Sequence, residues 1–157
     1  MIRRLFPLAL VALIALIPVW VHAQLPSQMQ SFTREPLVIV SGTQRHSFEV
    51  EMALTPAQQQ QGLMFRRTMP AMAGMLFLHQ EEREQAMWMM NTFIPLDMVF
   101  IRRDGRISHI VERTVPHSTA TISSNGPVLA VLELNGGTVA RLGIKVGDRV
   151  DHRGFAR

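Results

Sequence analysis

The stretch Leu96-Asp-Met-Val-Phe-Ile-Arg-Arg-Asp-Gly-Arg-Ile-Ser-His-Ile-Val-Glu-Arg-Thr-Val115 decides the fold. Asp104-Gly105 between two apolar runs is the strongest hairpin signal in the chain, because a two-residue type I′ turn needs positive φ at both central residues. With Arg103 facing Arg106, Val99 faces Ile110 and Asp97 faces Glu112, with opposed Cβ atoms about 5 Å apart. Met98, Phe100, Ile107, His109 and Val111 then share one face, while Val99, Ile101 and Ile110 share the other with Asp97 and Glu112. Both faces are largely apolar, which predicts a hairpin central in its sheet.

Working outward, Ala86 to Met90 reads as a strand that leads into a polar corner, Asn91-Thr92, before the hairpin begins. On that strand Trp88 and Met90 share one face, and Met87 and Met89 the other. Met75 to Leu78 is a buried strand, joined to it by a charged connection, His79 to Glu84. Leu37 to Val40 is a short β-branched run, and Phe48, Val50, Met52 and Leu54 alternate with Glu49, Glu51 and Ala53, the period of a half-buried strand. Ser41-Gly42 is the turn between them. Thr55-Pro56 opens a short helix over 56–61, with Thr as its cap, Pro in its first turn and Gly62 at its end. Pro116 to Pro127 is a Ser/Thr-rich loop, Val128 to Leu134 a strand, Asn135-Gly136-Gly137 a turn. Thr138 to Leu142 has room for one helical turn closed by Gly143, and Arg149 to His152 is a last strand. Many short strands with one short helix indicate an all-β sandwich or barrel.

The N-terminus carries a different pattern. Arg3 and Arg4 precede an apolar run from Leu5 to Val19, and Val21-His22-Ala23 places small residues at the cleavage-specifying positions, so residues 1–23 read as a secretory signal peptide cut before Gln24. The apolar run is short of the roughly 20 residues that span a bilayer, so contact with the membrane is confined to export into the periplasm or cell envelope. Residues 24–36, rich in Pro, Ser and Gln, form a flexible linker; 37–153 form a single β domain and 154–157 a tail. With no Cys among the 157 residues, disulfides, thiolate metal sites and cysteine nucleophiles are all excluded. Subtracting Arg3 and Arg4 takes Lys+Arg from 16 to 14 against 12 Asp+Glu, a formal charge of about +2. That balance, with scattered arginines, argues against nucleic acid as a partner, and the chain reads as a monomer.

Met87 to Phe100, Gly62-Leu-Met-Phe-Arg66, Gly74-Met-Leu-Phe77, Val131-Leu-Glu-Leu134 and Gly147-Asp148 together resemble an uncharacterised prokaryotic family, domain of unknown function 192. The resemblance covers roughly residues 37–152, in the family's order and close to its spacing. It implies a jelly-roll-like sandwich with a small helical insertion. Because the family's own function is unassigned, it implies no catalytic role.

Candidate ligand-binding residues gather at the polar corner: Trp88, Asn91, Thr92 and Asp97, with Arg66 and Glu133 as neighbours. Glu133 shares a strand face with Leu129 and Val131, and a carboxylate there requires a cation, for which Arg66 is the expected partner. The bland alternative is that Asn91 and Thr92 satisfy backbone groups in a turn and that Arg66 forms a structural ion pair. Eleven methionines are a second feature. Met69, Met72, Met75, Met87 and Met89 are closely spaced, and thioether sulfur selects Cu(I), although methionine is also adaptable core filler. Histidines 46, 79, 109, 117 and 152 show no metal-binding spacing. Asp97 with Glu112 or Glu133 would suit a carboxylate-dependent hydrolase if the pair lined a cleft. No nucleophile elbow, phosphate loop or dinucleotide fingerprint is present. The expectation is therefore an exported module that binds a small ligand or an envelope partner, with copper handling and hydrolysis as alternatives.

Overall fold

The structure is a computed structural model in which residues 29–155 are described. The signal-peptide pattern, its cleavage position and residues 156–157 of the tail lie outside the described residues. Seven strands follow one another as β1 (Arg34–Ser41), β2 (Gln44–Ala53), β3 (Ala73–Met87), β4 (Leu96–Ile101), β5 (Ile107–Val111), β6 (Ile122–Asn135) and β7 (Arg149–Asp151). Two short helices interrupt them, α1 (Pro56–Gln61) and α2 (Thr138–Leu142).

The strands form a single sheet in the order β5-β4-β6-β3-β2-β1-β7, antiparallel throughout except for β2 with β3. Among the described residues two facing sheets are not seen. Instead the one sheet curls until its ends touch: Arg106 bridges Arg149, the Ile107 N–H donates to the Asp148 carbonyl at 2.9 Å, and the Val150 N–H donates to Gly105 at 2.8 Å. Such contact hides edge groups that would otherwise be open to pairing.

Alternation along the strands divides the apolar residues into two clusters. Leu37, Ile39, Phe48, Val50, Leu76, Val99, Ile101, Ile107, Leu132 and Val150, drawn from all seven strands, fill the inside of the curl. Met75, Phe77, Met98, Phe100 and Val131 form the second cluster on the other face, covered by Leu63, Met89, Leu96 and Phe32. β4, between β5 and β6, gives Val99 and Ile101 to the first cluster and Met98 and Phe100 to the second, which is why every residue of β4 is buried. Gly74 in β3 is required by close approach, since a Cβ there would lie 2.7 Å from the Glu133 carbonyl oxygen.

The hairpin forms with the expected pairing of Val99 and Ile110. Its turn differs: only Gly105 has positive φ (79°), and its N–H donates to Arg102, the geometry of a three-residue loop closed by a left-handed glycine. The extra residue is absorbed as a bulge, so Ile101 pairs with Ile107, and Ile107 turns into the inner cluster instead of sharing a face with Phe100.

Other expectations are corrected by long-range pairing. His79 to Glu84 is not a connection but part of one long strand β3, kept in the sheet by β6 across register shifts. For the same reason β6 starts at Ile122, inside the expected 116–127 loop, and Leu129 turns to the inner cluster while Val131 stays with Glu133. Residues 88–90 are not strand, since β3 ends at Met87. The presumed linker is ordered from Met29: β1 begins at Arg34, Phe32 packs on the outer cluster, and the Gln58 amide donates to the Ser31 carbonyl at 2.8 Å. Thr55 caps α1 in a reciprocal arrangement with Gln58, as the sequence suggests, and α2 forms where the sequence leaves room for one helical turn closed by Gly143.

Candidate functional site

Across the sheet, Glu51 of β2, Met75 of β3, Glu133 of β6 and Met98 of β4 stand in one row. All four side chains therefore point to the outer face. Neighbouring strands lie about 4.8 Å apart, so Glu51 is roughly 10 Å from Glu133 with Met75 between them. That spacing decides where Arg66 goes. Its guanidinium pairs with Glu51, which Arg34 also approaches at 3.5 Å, and it covers the Phe32 ring at 5.7 Å. The expected pair of Arg66 with Glu133 is not made, because Glu51 lies at the more accessible end of the same row.

Glu133 is left as a buried acid, 4% exposed, with no hydrogen bond or ion pair to another described residue. Burial raises its pKa to about 8, because an apolar surrounding disfavours the charged form. Glu133 lines a cavity of about 170 Å³. The walls are Gln59 to Gln61 of α1, Gly62 to Met64 beyond it, Phe77 and Ala86 of β3, and Met87, Trp88, Met90 and Thr92 at the corner. Trp88 stands at the rim, 51% exposed. The Thr92 hydroxyl donates to the Met90 carbonyl at 3.3 Å, which ties the corner down.

Of the six ligand-binding candidates, Trp88, Thr92 and Glu133 meet at this cavity. Asn91 is in the adjoining turn with φ 55°; its carbonyl accepts the Phe65 N–H at 2.8 Å and its amide faces the Met64 sulfur. Arg66 lies in a separate groove with Met69 and Met72. Asp97 is on the opposite face of the sheet, since it pairs with Leu134 while Glu133 pairs with Met98. It is fully buried, and its carboxylate accepts the backbone N–H groups of Arg113 (2.9 Å), Gly137 (2.9 Å) and Val139 (2.8 Å). The start of α2 has no side-chain cap of its own, so Asp97 supplies one from a neighbouring strand. A carboxylate so occupied does not pair with Glu112, which lies beyond the β5 ladder, nor with Glu133.

The methionines divide in the same way. Met75, Met89 and Met98 are fully buried core residues. Met69 and Met72 line the Arg66 groove, whereas Met64, Met87 and Met90 line the Glu133 cavity. Strand alternation holds here only in part: Met87 packs against the cluster that encloses Met89, but without strand geometry at 88–90 Met87 also lines the cavity together with Trp88 and Met90. Met64 and Met90 were missing from the sequence-derived site. The signal for Met64 was its position just after Gly62, where the chain turns inward.

A larger groove of about 610 Å³ lies along β1 and β7. Its charges are already matched: Glu35 is held by Arg153 and lies 3.1 Å from His152, and Arg45 and Arg149 both bind Asp151. The hydrogen bond from Arg153 keeps Glu35 below the usual carboxylate range, while burial lowers His152. Among the described residues no three His, Asp or Glu side chains gather as a metal site, and no helix is long and apolar enough to cross a membrane.

The sequence pattern of DUF192, a family described as uncharacterized ACR, matches residues 37–152. The chain belongs to the DUF192 family. Two crystal structures resemble this DUF192 protein. One, from Sinorhizobium meliloti 1021 and described provisionally as a transcription regulator, is 47% identical with a TM-score of 0.79, covering 82% of this chain and 100% of its own. The other, a protein of unknown function from Novosphingobium aromaticivorans DSM 12444, is 43% identical with a TM-score of 0.74, covering 76% of this chain and 85% of its own. No curated protein is significantly similar to the chain.

Proposed function

We propose that this DUF192 protein is a small-ligand-binding module whose site is the cavity over Glu133, and that it acts in the cell envelope after export as a monomer. The observation that carries the reading is a buried carboxyl group without a partner among the described residues, on a small cavity that its residue lines. A buried ionisable group is ordinarily paired, and a site that leaves one free offers it to whatever enters. Trp88 at the rim adds apolar area and one N–H donor, and Thr92 and the glutamines of α1 add polar groups at the edge. The geometry favours binding over hydrolysis, because Asp97 and Glu133 lie on opposite faces of the sheet.

Export rests on the N-terminal pattern alone. The regulator description of the Sinorhizobium relative is extended here only as far as recognition of a small molecule. Several arginines that a nucleic acid would need are already paired, Arg103 with Glu82, Arg45 and Arg149 with Asp151, and Arg153 with Glu35.

The test is a titration of the purified protein with small metabolites, cell-wall fragments and metal ions, following Trp88 emission and melting temperature together. A ligand of the cavity gives a saturable emission change, lost in Trp88→Phe, and a higher melting temperature. Glu133→Gln weakens it. A ligand whose affinity is untouched by Glu133→Gln and whose signal persists in Trp88→Phe would place binding elsewhere.

A further inference from the structure

We propose that the occupant of the Glu133 cavity is a soft monovalent metal ion of the Cu(I) class, held by the thioethers of Met64, Met87 and Met90 with Glu133 and the indole of Trp88. The inference rests on the small-ligand reading and names its ligand.

Three observations lead to it. First, three methionines from different parts of the chain, one following α1, one ending β3 and one in the corner, line a single cavity. Met64 is buried with its sulfur facing the Asn91 amide, and Met87 packs partly on the outer cluster, yet both reach the cavity with Met90, whereas Met75, Met89 and Met98 are fully enclosed and explained as core filler. Thioether donors select Cu(I) over harder ions, and Mg²⁺ or Ca²⁺ would require six or more oxygens. Among the described residues Glu133 is the only side-chain carboxylate on this cavity, its other oxygen-bearing side chains being Gln59 to Gln61 and Thr92, whose hydroxyl already donates to Met90.

Second, charge balance favours a single positive charge. One ionised Glu133 and one monovalent ion leave the cavity neutral, whereas a divalent ion would leave a net charge among apolar walls, an expensive arrangement. Third, Trp88 lines the cavity while half exposed, and a cation held against an indole gains from the ring quadrupole. The set differs from the one that spacing alone suggests. Met69-x-x-Met72-x-x-Met75 does not assemble, because Met75 is enclosed in the core while Met69 and Met72 line the Arg66 groove.

The experiment is an anaerobic titration of Cu(I) into the purified full-chain product against a coloured Cu(I) chelator, with Ag(I) as a redox-inert substitute. The expected result is one ion per chain, quenching of Trp88 emission, and no response to Mg²⁺ or Ca²⁺. Met64→Leu, Met87→Leu and Met90→Leu combined abolish the competition, while Met69→Leu with Met72→Leu leaves it unchanged. Copper-edge X-ray absorption of the unmodified complex supplies a test that does not depend on any variant folding: sulfur neighbours support the site, and a shell of nitrogen and oxygen alone overturns it. Failure of the unmodified protein to compete for Cu(I) also overturns it, as does a folded triple variant that binds as tightly. If Cu(I) and Ag(I) fail while an organic ammonium compound or another small molecule shifts Trp88 emission in a Glu133-dependent way, the metal is wrong and the cavity remains a ligand site. If no small molecule or ion does so, both readings fall.

Discussion

Replacing Glu133 by Gln should change how stability depends on pH, and the sign follows from the structure. Burial raises the folded-state pKa from 4.5 to about 8. Below 4.5 the carboxyl is protonated in both states. Between 4.5 and about 8 the unfolded chain has released the proton while the folded chain still holds it. The folded state binds more protons there, so the stabilisation that is full at low pH declines as pH rises and is lost once pH passes the folded pKa. Each pH unit is worth about 1.4 kcal/mol, so the decline from pH 5 to pH 8 is about 4 kcal/mol. Gln has nearly the same shape and no charge to bury, so Glu133→Gln lacks this slope. The assay is urea denaturation of both proteins at intervals from pH 5 to pH 9. Other titrating groups, including His79 and His152, whose pKa values burial lowers, are common to both proteins and cancel in the difference. The difference should grow by about 4 kcal/mol in favour of Gln and level off above pH 8. Parallel stability curves would show that Glu133 ionises as a solvated carboxylate does, and the account of an unpartnered buried acid would be refuted.

Asp97→Ala should destabilise severely, because three backbone N–H groups lose their acceptor and each such loss costs about 1–3 kcal/mol; denaturation measures it, while Trp88 emission of the folded protein stays unchanged. In double-mutant cycles Arg66→Met and Glu51→Gln should couple by about 0.2–1 kcal/mol, as expected of a partly exposed pair; Arg66→Met with Glu133→Gln should show no coupling, and coupling there would contradict the row across the sheet. Mass spectrometry of protein recovered from an envelope fraction should find Gln24 as the first residue, and an intact Met1 would exclude cleavage after Ala23.

Local patterns were enough for much of the fold. The Thr55-Pro56 cap, Gly62 and Gly143 act within a few residues of the backbone they control, and Asp104-Gly105 marked the hairpin because a left-handed glycine is needed wherever the chain reverses there. The six-residue ligand set likewise contained three residues of the cavity, since Trp88 and Thr92 adjoin the corner that the apolar runs isolate and Glu133 is the one charge within the apolar run 128–134.

Partnership across the sheet was decided only in three dimensions. Nothing local to Arg66 distinguishes Glu51 from Glu133; the row through Met75 does, by setting the two carboxylates about 10 Å apart. Asp97 reads as a ligand-binding acid of the polar corner until pairing with Leu134 puts it on the inner face, beneath the start of α2, where three N–H groups claim it. The methionines illustrate the same limit. Spacing along the chain grouped Met69, Met72 and Met75, but the end of β3 at Met87 and the turn at Asn91 bring Met64, Met87 and Met90 to one cavity instead. A sequence records which side chains are near one another along the backbone; strand register and the end of a strand determine which of them share a face, and a site is made of residues that share a face.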